Sequence, residues 1–163
     1  MFFIFALHST NALTQNVKIE IKSDCLFINS KKISKQDALN QLLNALGKPD
    51  RKFSKPFSTI WTYDQLGVRI YLTPKDSLFD SIAFDFTNKD FDFFPKRIFS
   101  GIFLLNTVHV SENMSIKEAW QIKGINFKNT VLNYYNATTL FLKIVFVYSF
   151  DTNKLETVGI NFR

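Results

Sequence analysis

The chain of 163 residues is 46% hydrophobic and 21% charged, which excludes a disordered or low-complexity segment and gives the length of one ordinary domain. A single cysteine excludes an internal disulfide scaffold and a cysteine-rich metal site. What stands out is 19 Phe against 5 Gly, and a net charge of +6. Codon usage in an AT-rich genome accounts for much of the Phe, Asn and Lys excess. The charge is uneven: Lys31, Lys32, Lys35, Lys48, Arg51, Lys52 and Lys55 are opposed over that stretch only by Asp37 and Asp50. Such a cluster attracts nucleic acid, anionic lipid or an acidic protein surface, or is simply the solvated start of a helix and a loop. Without an arginine-rich run, an RNP-type motif or a zinc finger, nucleic acid is not the expected partner.

In chain order, Phe2 to Leu7 is an apolar run followed by small residues at Thr10-Asn11-Ala12. It reads as the end of a secretory signal over residues 1–12, or as a first strand; the polar spacer Ser9 to Asn16 favours the signal. Export to the periplasm follows from the first reading and a cytoplasmic location from the second. The run is too short to span a bilayer. From Val17 apolar and polar residues alternate to Ile21, turn at Ser23-Asp24 and return through Cys25 to Ile28, which predicts a hairpin. Ser34 is placed to cap a helix whose Ala38, Leu39, Leu42, Leu43 and Leu46 share a face, with Gly47 as a left-handed cap and Pro49 beyond it. After a basic loop, strands are predicted at Thr59 to Tyr63, Val68 to Leu72 and Ser81 to Phe86, with turns at Asp64 to Gly67 and around Thr73 to Asp76.

The order then repeats. A hairpin is predicted from Phe99 to Leu105 and Val108 to Val110, a helix capped by Ser115, and strands at Val131 to Tyr135, Leu140 to Tyr148 and Thr157 to Phe162. Val68, Ile70 and Leu72 align in pattern with Ile144, Phe146 and Tyr148, and Ile82, Phe84 and Phe86 with Val158, Ile160 and Phe162. The expected fold class is therefore α+β: two similar ββαβββ halves, about 17–90 and 97–163, forming an antiparallel sheet with helices on one face, in a single unit over 13–163. Between the halves, Asp90-Phe91-Asp92-Phe93-Phe94-Pro95-Lys96-Arg97 alternates aromatics with charges. Buried, it locks the halves together; exposed, it has the composition of a protein-binding hot spot.

Groups for catalysis are sparse. His8 and His109 are far apart, no HExxH or CxxC is present, and neither a P-loop nor a GxGxxG occurs. Cys25 reads as an inert core thiol, Ser100-Gly101 lacks the flanking glycine of a nucleophile elbow, and Asp85, Asp92 and Glu118 are the only carboxylates worth testing as a pair. The expectation is a protein without cofactor or metal and without enzymatic activity.

The best specified stretch is Leu46-Gly47-Lys48-Pro49-Asp50-Arg51, followed by Trp61-Thr62-Tyr63-Asp64-Gln65-Leu66-Gly67-Val68-Arg69-Ile70-Tyr71 and by Phe99-Ser100-Gly101. It resembles an uncharacterised bacterial domain family whose members are often encoded beside secreted antibacterial toxins, of the kind delivered by type VI secretion, and look like their immunity proteins. It is distantly similar to the β-lactamase-inhibitor-protein and outer-membrane-assembly lipoprotein group, although Cys25 follows Lys22-Ser23-Asp24 and not a lipobox. The resemblance implies a toxin-binding immunity protein whose partner is a cognate protein toxin, occluded without catalysis. An envelope-associated inhibitor or assembly module, and a small enzyme, are the competing classes. The residues expected to contact the partner are Arg51, Trp61, Tyr63, Arg69, Tyr71, Phe91, Phe93, Phe94, Lys96 and Arg97.

Overall fold

A computed structural model describes residues 17–74 and 78–163. The signal-or-strand reading of residues 1–12, and the Lys75-Asp76 part of the predicted turn, lie outside the described residues. Thirteen strands and two helices follow in the order β1 (Lys18–Lys22), β2 (Cys25–Ile28), β3 (Lys31–Ile33), a 3-10 turn (Lys35–Asp37), α1 (Ala38–Leu46), β4 (Arg51–Lys55), β5 (Ser58–Tyr63), β6 (Val68–Leu72) and β7 (Phe79–Asp85). After a connector, residues 86–101, come β8 (Ile102–Leu105), β9 (Val108–His109), α2 (Ile116–Trp120), β10 (Lys128–Val131), β11 (Tyr134–Thr138), β12 (Leu142–Tyr148) and β13 (Leu155–Phe162). The class is α+β, weighted heavily toward β.

The strands form two sheets, one of five strands in the order β3-β2-β1-β8-β9 and one of eight in the order β10-β11-β12-β13-β7-β6-β5-β4. Each half of the chain supplies a four-stranded meander to the larger sheet, and the meanders meet antiparallel through β7 and β13. In the smaller sheet β1 and β8 pair in parallel, so the pairing is not antiparallel throughout. The elements also exceed two ββαβββ units. The basic loop after α1 is the strand β4, and Val131 to Tyr135 is not one strand: β10 ends at Val131, the chain turns at Leu132-Asn133, and β11 begins at Tyr134. Leu132 takes φ +44 there, its carbonyl accepts from Asn129 Nδ2 at 2.6 Å, and the Asn133 amide donates to the Tyr148 carbonyl. An asparagine that satisfies backbone groups with its side chain favours a turn over a continuous strand.

One buried cluster takes side chains from both sheets and both helices, among them Ile19 and Phe103, Leu42 of α1, Ala119 of α2, and Phe84, Ile144 and Val158 of the larger sheet. Phe84 joins the layers, with its ring edge-to-face against Phe103 at 5.2 Å and Phe99 at 5.3 Å. The two helix starts differ. Ser115 accepts from the Glu118 N–H at 3.3 Å while Glu118 Oε2 accepts from the Ser115 N–H at 2.7 Å, a reciprocal box. Ser34 does not cap α1; the Gln41 side chain accepts its N–H at 2.7 Å and a 3-10 turn intervenes. Gly47 ends α1 with φ +83 and donates to the Leu43 carbonyl at 2.8 Å, but its ψ of −163 lies outside the left-handed helical well that was expected. Cys25 is half-buried at the start of β2 and does not belong to the core cluster.

Candidate partner-binding surface

The larger sheet has one face on the core and one turned away from it. Along β6, Val68, Ile70 and Leu72 are in the core cluster, so Arg69 and Tyr71 are on the outer face. Residues directly opposite in neighbouring strands share a face, so the pairs Arg51 with Thr62, Thr62 with Arg69, and Arg69 with Ala83 extend that outer face across β4, β5, β6 and β7. By the same register Trp61 and Tyr63, both expected to contact a partner, pair with Ile70 and Val68 and belong to the core face instead of the outer one. Tyr63 is buried, its hydroxyl donates to the Gly47 carbonyl at 3.1 Å, and burial, helped by Asp50, pushes its pKa up to about 12.

The outer face is covered by the connector. Arg69 is only 4% exposed and Asp85 only 1%, and the guanidinium donates through Nε and Nη2 to both carboxylate oxygens at 2.6 Å. Thr157 Oγ1 donates to the same carboxylate at 2.9 Å, and Arg69 Nη1 donates to the Tyr71 hydroxyl. The guanidinium plane carries the Phe94 ring 3.7 Å away, so it is bonded at its edge and stacked on its face. Tyr71 is half-buried and its phenol pKa is raised by burial, against the nearby Arg69 charge.

Arg51, at the start of β4, makes the second clasp. Its Nε and Nη2 donate to Asp64 at 2.8 and 2.5 Å, Nη2 also donates to the Phe94 carbonyl at 2.7 Å, and Nη1 donates to the Asp92 carbonyl. Asp64, at the β5–β6 turn, further accepts from the Lys96 N–H at 3.1 Å, and its own carbonyl accepts from the Arg97 N–H at 3.0 Å. Burial opposes ionisation of Asp64, but the hydrogen bonds from Arg51 and Lys96 outweigh it and hold its pKa below the usual carboxylate value. The Asp64 hydrogen bonds in turn raise the Arg51 pKa against desolvation. Thr62 Oγ1 donates to the Phe93 carbonyl at 2.9 Å. The four buried polar or charged residues among those described, Thr62, Asp64, Arg69 and Asp85, thus all serve this one connector or the arginine beneath it.

The pinned segment presents a compact aromatic group. Phe91, Phe93 and Phe94 have centroids 5.2 to 5.9 Å apart, and Lys55 Nζ is 5.2 Å from the Phe93 ring. Phe93 and Phe94 are half-buried, whereas Phe91 is 60% exposed, and Lys96 and Arg97 are exposed further along the segment. Of the ten residues expected to contact a partner, Phe91, Lys96 and Arg97 are exposed, Arg51 and Arg69 are committed to internal carboxylates, and Tyr63 is interior. The sequence reading placed Lys52 and Lys55 in a basic loop and did not single out Phe57; it missed the strand itself, because Arg51 to Lys55 lacks an apolar alternation and Phe53 is its only apolar residue. Phe57, in the β4–β5 turn, is 91% exposed.

The carboxylates considered for chemistry do not converge: Asp85 serves Arg69 and Thr157, Glu118 serves the Ser115 cap, and Asp92 lends only its carbonyl to Arg51. Among the described residues no group of three or more His, Cys, Asp or Glu side chains is placed to hold a metal ion. No described helix is long and apolar enough to cross a membrane.

The sequence profile of a domain family of unknown function, DUF7738, matches residues 18–120. The chain belongs to this family. The DUF7738 match runs from β1 through α2, and so contains both arginine clasps, the connector and the whole β4–β7 meander. No curated protein and no solved structure matches the chain.

Proposed function

We propose that the protein is a stoichiometric binder that neutralises a secreted antibacterial toxin by covering it, an immunity protein without catalysis of its own. The observation that supports this reading most is the connector. Two arginines, one of them buried, fix a segment with three phenylalanines on the back of a sheet, and one of those rings, Phe91, remains largely in solvent. Exposed aromatic side chains on backbone that is already ordered lose little entropy on binding, and aromatics with Arg or Lys at the rim are the usual composition of an interface centre. The net charge of +6 suits a toxin with an acidic surface and speeds association with it. The similar order of elements in the two halves is read as an internal duplication, which the binder uses as a single scaffold.

The experiment is to look for a gene for a large secreted toxin beside this one and to co-express the protein with its product. The protein is expected to copurify with that toxin and to restore growth of cells that carry it. Growth arrest unchanged by the protein, with no complex on a sizing column, contradicts the reading.

A further inference from the structure

We propose that β4 is a docking edge for an acidic, extended segment of the partner protein, which joins the eight-stranded sheet as a further strand. This rests on the binding reading above and specifies where and by what chemistry the partner attaches. Among the described residues β4 is the last strand of the sheet and pairs only with β5, so one side of its backbone has no strand partner there. An extended chain adds to such an edge through main-chain hydrogen bonds, and the side chains flanking the edge select which chain it is.

Here the selection is electrostatic. β4 reads Arg51-Lys52-Phe53-Ser54-Lys55, with no acid. Arg51 is held by Asp64, but Lys52 and Lys55 have no ion-pair partner among the described residues. They lie on opposite faces of the strand, Lys52 Nζ over the Trp61 ring at 4.3 Å and Lys55 Nζ over the Phe93 ring at 5.2 Å. Each ammonium is therefore parked on an aromatic face at the sheet's rim. An incoming strand with acids at the same spacing meets one lysine on each face. A second copy of this chain does not fit, because pairing β4 with β4 sets lysines and arginines of like charge side by side.

Lysines on an edge strand also serve to repel unwanted pairing. Phe57 distinguishes the two roles. A purely protective edge has no use for a phenylalanine 91% exposed at its hairpin turn, whereas a docking edge gains an apolar anchor there, with Phe91 of the connector at 60% exposure packed on Phe93 as a second.

The test uses the full chain and three short capped Val/Thr peptides: one with two glutamates spaced as Lys52 and Lys55 are, one with lysines in their place, and one with glutamates and N-methylated backbone. Binding is followed by fluorescence anisotropy, and its location by amide hydrogen exchange. The glutamate peptide is expected to bind and to slow exchange across residues 51–55, and the other two are expected not to. In the doubly substituted Lys52→Glu/Lys55→Glu protein the preference is expected to invert, with the glutamate peptide weakened about tenfold and the lysine peptide bound, in line with the cost of opposed like charges across paired strands. Binding of no peptide, equal binding of the glutamate and lysine peptides, or protection elsewhere in the chain overturns the docking edge. If co-expression rescue succeeds and is undiminished in the Lys52→Glu/Lys55→Glu protein, the edge is wrong while the binder reading stands; if rescue itself fails, the binder reading is the one that falls.

Discussion

Arg69 and Asp85 show how a single residue type carries this fold. A guanidinium almost wholly removed from water is tolerable only if its charge and its donors are met, and here the Asp85 carboxylate, the Tyr71 hydroxyl and the Phe94 face meet them. Lysine has neither the fork for two parallel bonds nor the plane for stacking. Replacing Arg69 by Met leaves Asp85 buried with only Thr157 as donor, and is expected to cost about 3–5 kcal/mol in urea unfolding. The double replacement Arg69→Met/Asp85→Leu is expected to recover most of that loss, because no charge then remains uncompensated. A double variant no more stable than the single one contradicts this account of the pair.

Asp64 gives the pH dependence. Its pKa is lowered in the folded chain, so the ionised form stabilises the fold above the unfolded-state value, and that contribution is lost as pH falls through the lower folded value. Stability is therefore expected to drop on acidification below about pH 4, and an Arg51→Met protein, which lacks the main partner, is expected to show a shallower drop over the same range in denaturant titrations.

At the scale of elements, the connector and the β5–β6 turn act as one piece. Gly67 takes φ +69, and a Cβ there would lie 2.1 Å from the Phe99 amide nitrogen and 2.4 Å from the Ile98 carbonyl carbon. Both obstacles are backbone, so no side-chain adjustment relieves them. Gly67→Ala is expected to destabilise by more than about 3 kcal/mol through combined strain and overlap, a loss read as a lowered thermal midpoint. The strands around this turn were legible in the sequence, because Val68-Arg69-Ile70-Tyr71-Leu72 alternates cleanly and Asp64 to Gly67 has turn composition. What stayed hidden was the lid. Alternation places Arg69 on the face away from the core, and nothing in a strand pattern says that a segment after β7 returns to cover that face. β4 was hidden for a different reason: it is an edge strand that adds no residue to the core cluster, and a strand of Arg, Lys and Ser with one Phe has the composition of a loop. The turn at Leu132-Asn133 was missed because Val131, Tyr134 and Tyr135 give an apolar run that looks continuous.

For the molecule as a whole, the halves are tied through β7 with β13 and β1 with β8, and they share one buried cluster. Neither half closes that cluster alone. Unfolding followed by tryptophan fluorescence and by far-ultraviolet circular dichroism is expected to give coincident single transitions, and a fragment ending at residue 90 is expected to lack dispersed amide signals. Two separated transitions contradict a shared core. Part of the composition now has a location: six of the 19 phenylalanines form the core junction at Phe84, Phe99 and Phe103 and the outer group of Phe91, Phe93 and Phe94, while Lys31 and Lys32 of the basic stretch lie in the smaller sheet and Arg51, Lys52 and Lys55 on the β4 edge.

The central claim, a binder that acts by occupancy and not by turnover, is tested most directly by titrating the purified toxin with this protein while following the toxin's own activity. Toxin activity is expected to fall linearly to an end point near one protein per toxin, and this inhibition to be lost on replacing Phe91 by Ala together with Lys96 and Arg97 by Glu in an otherwise stably folded chain. Inactivation of toxin by far less than an equimolar amount, or no inhibition at any ratio, contradicts it.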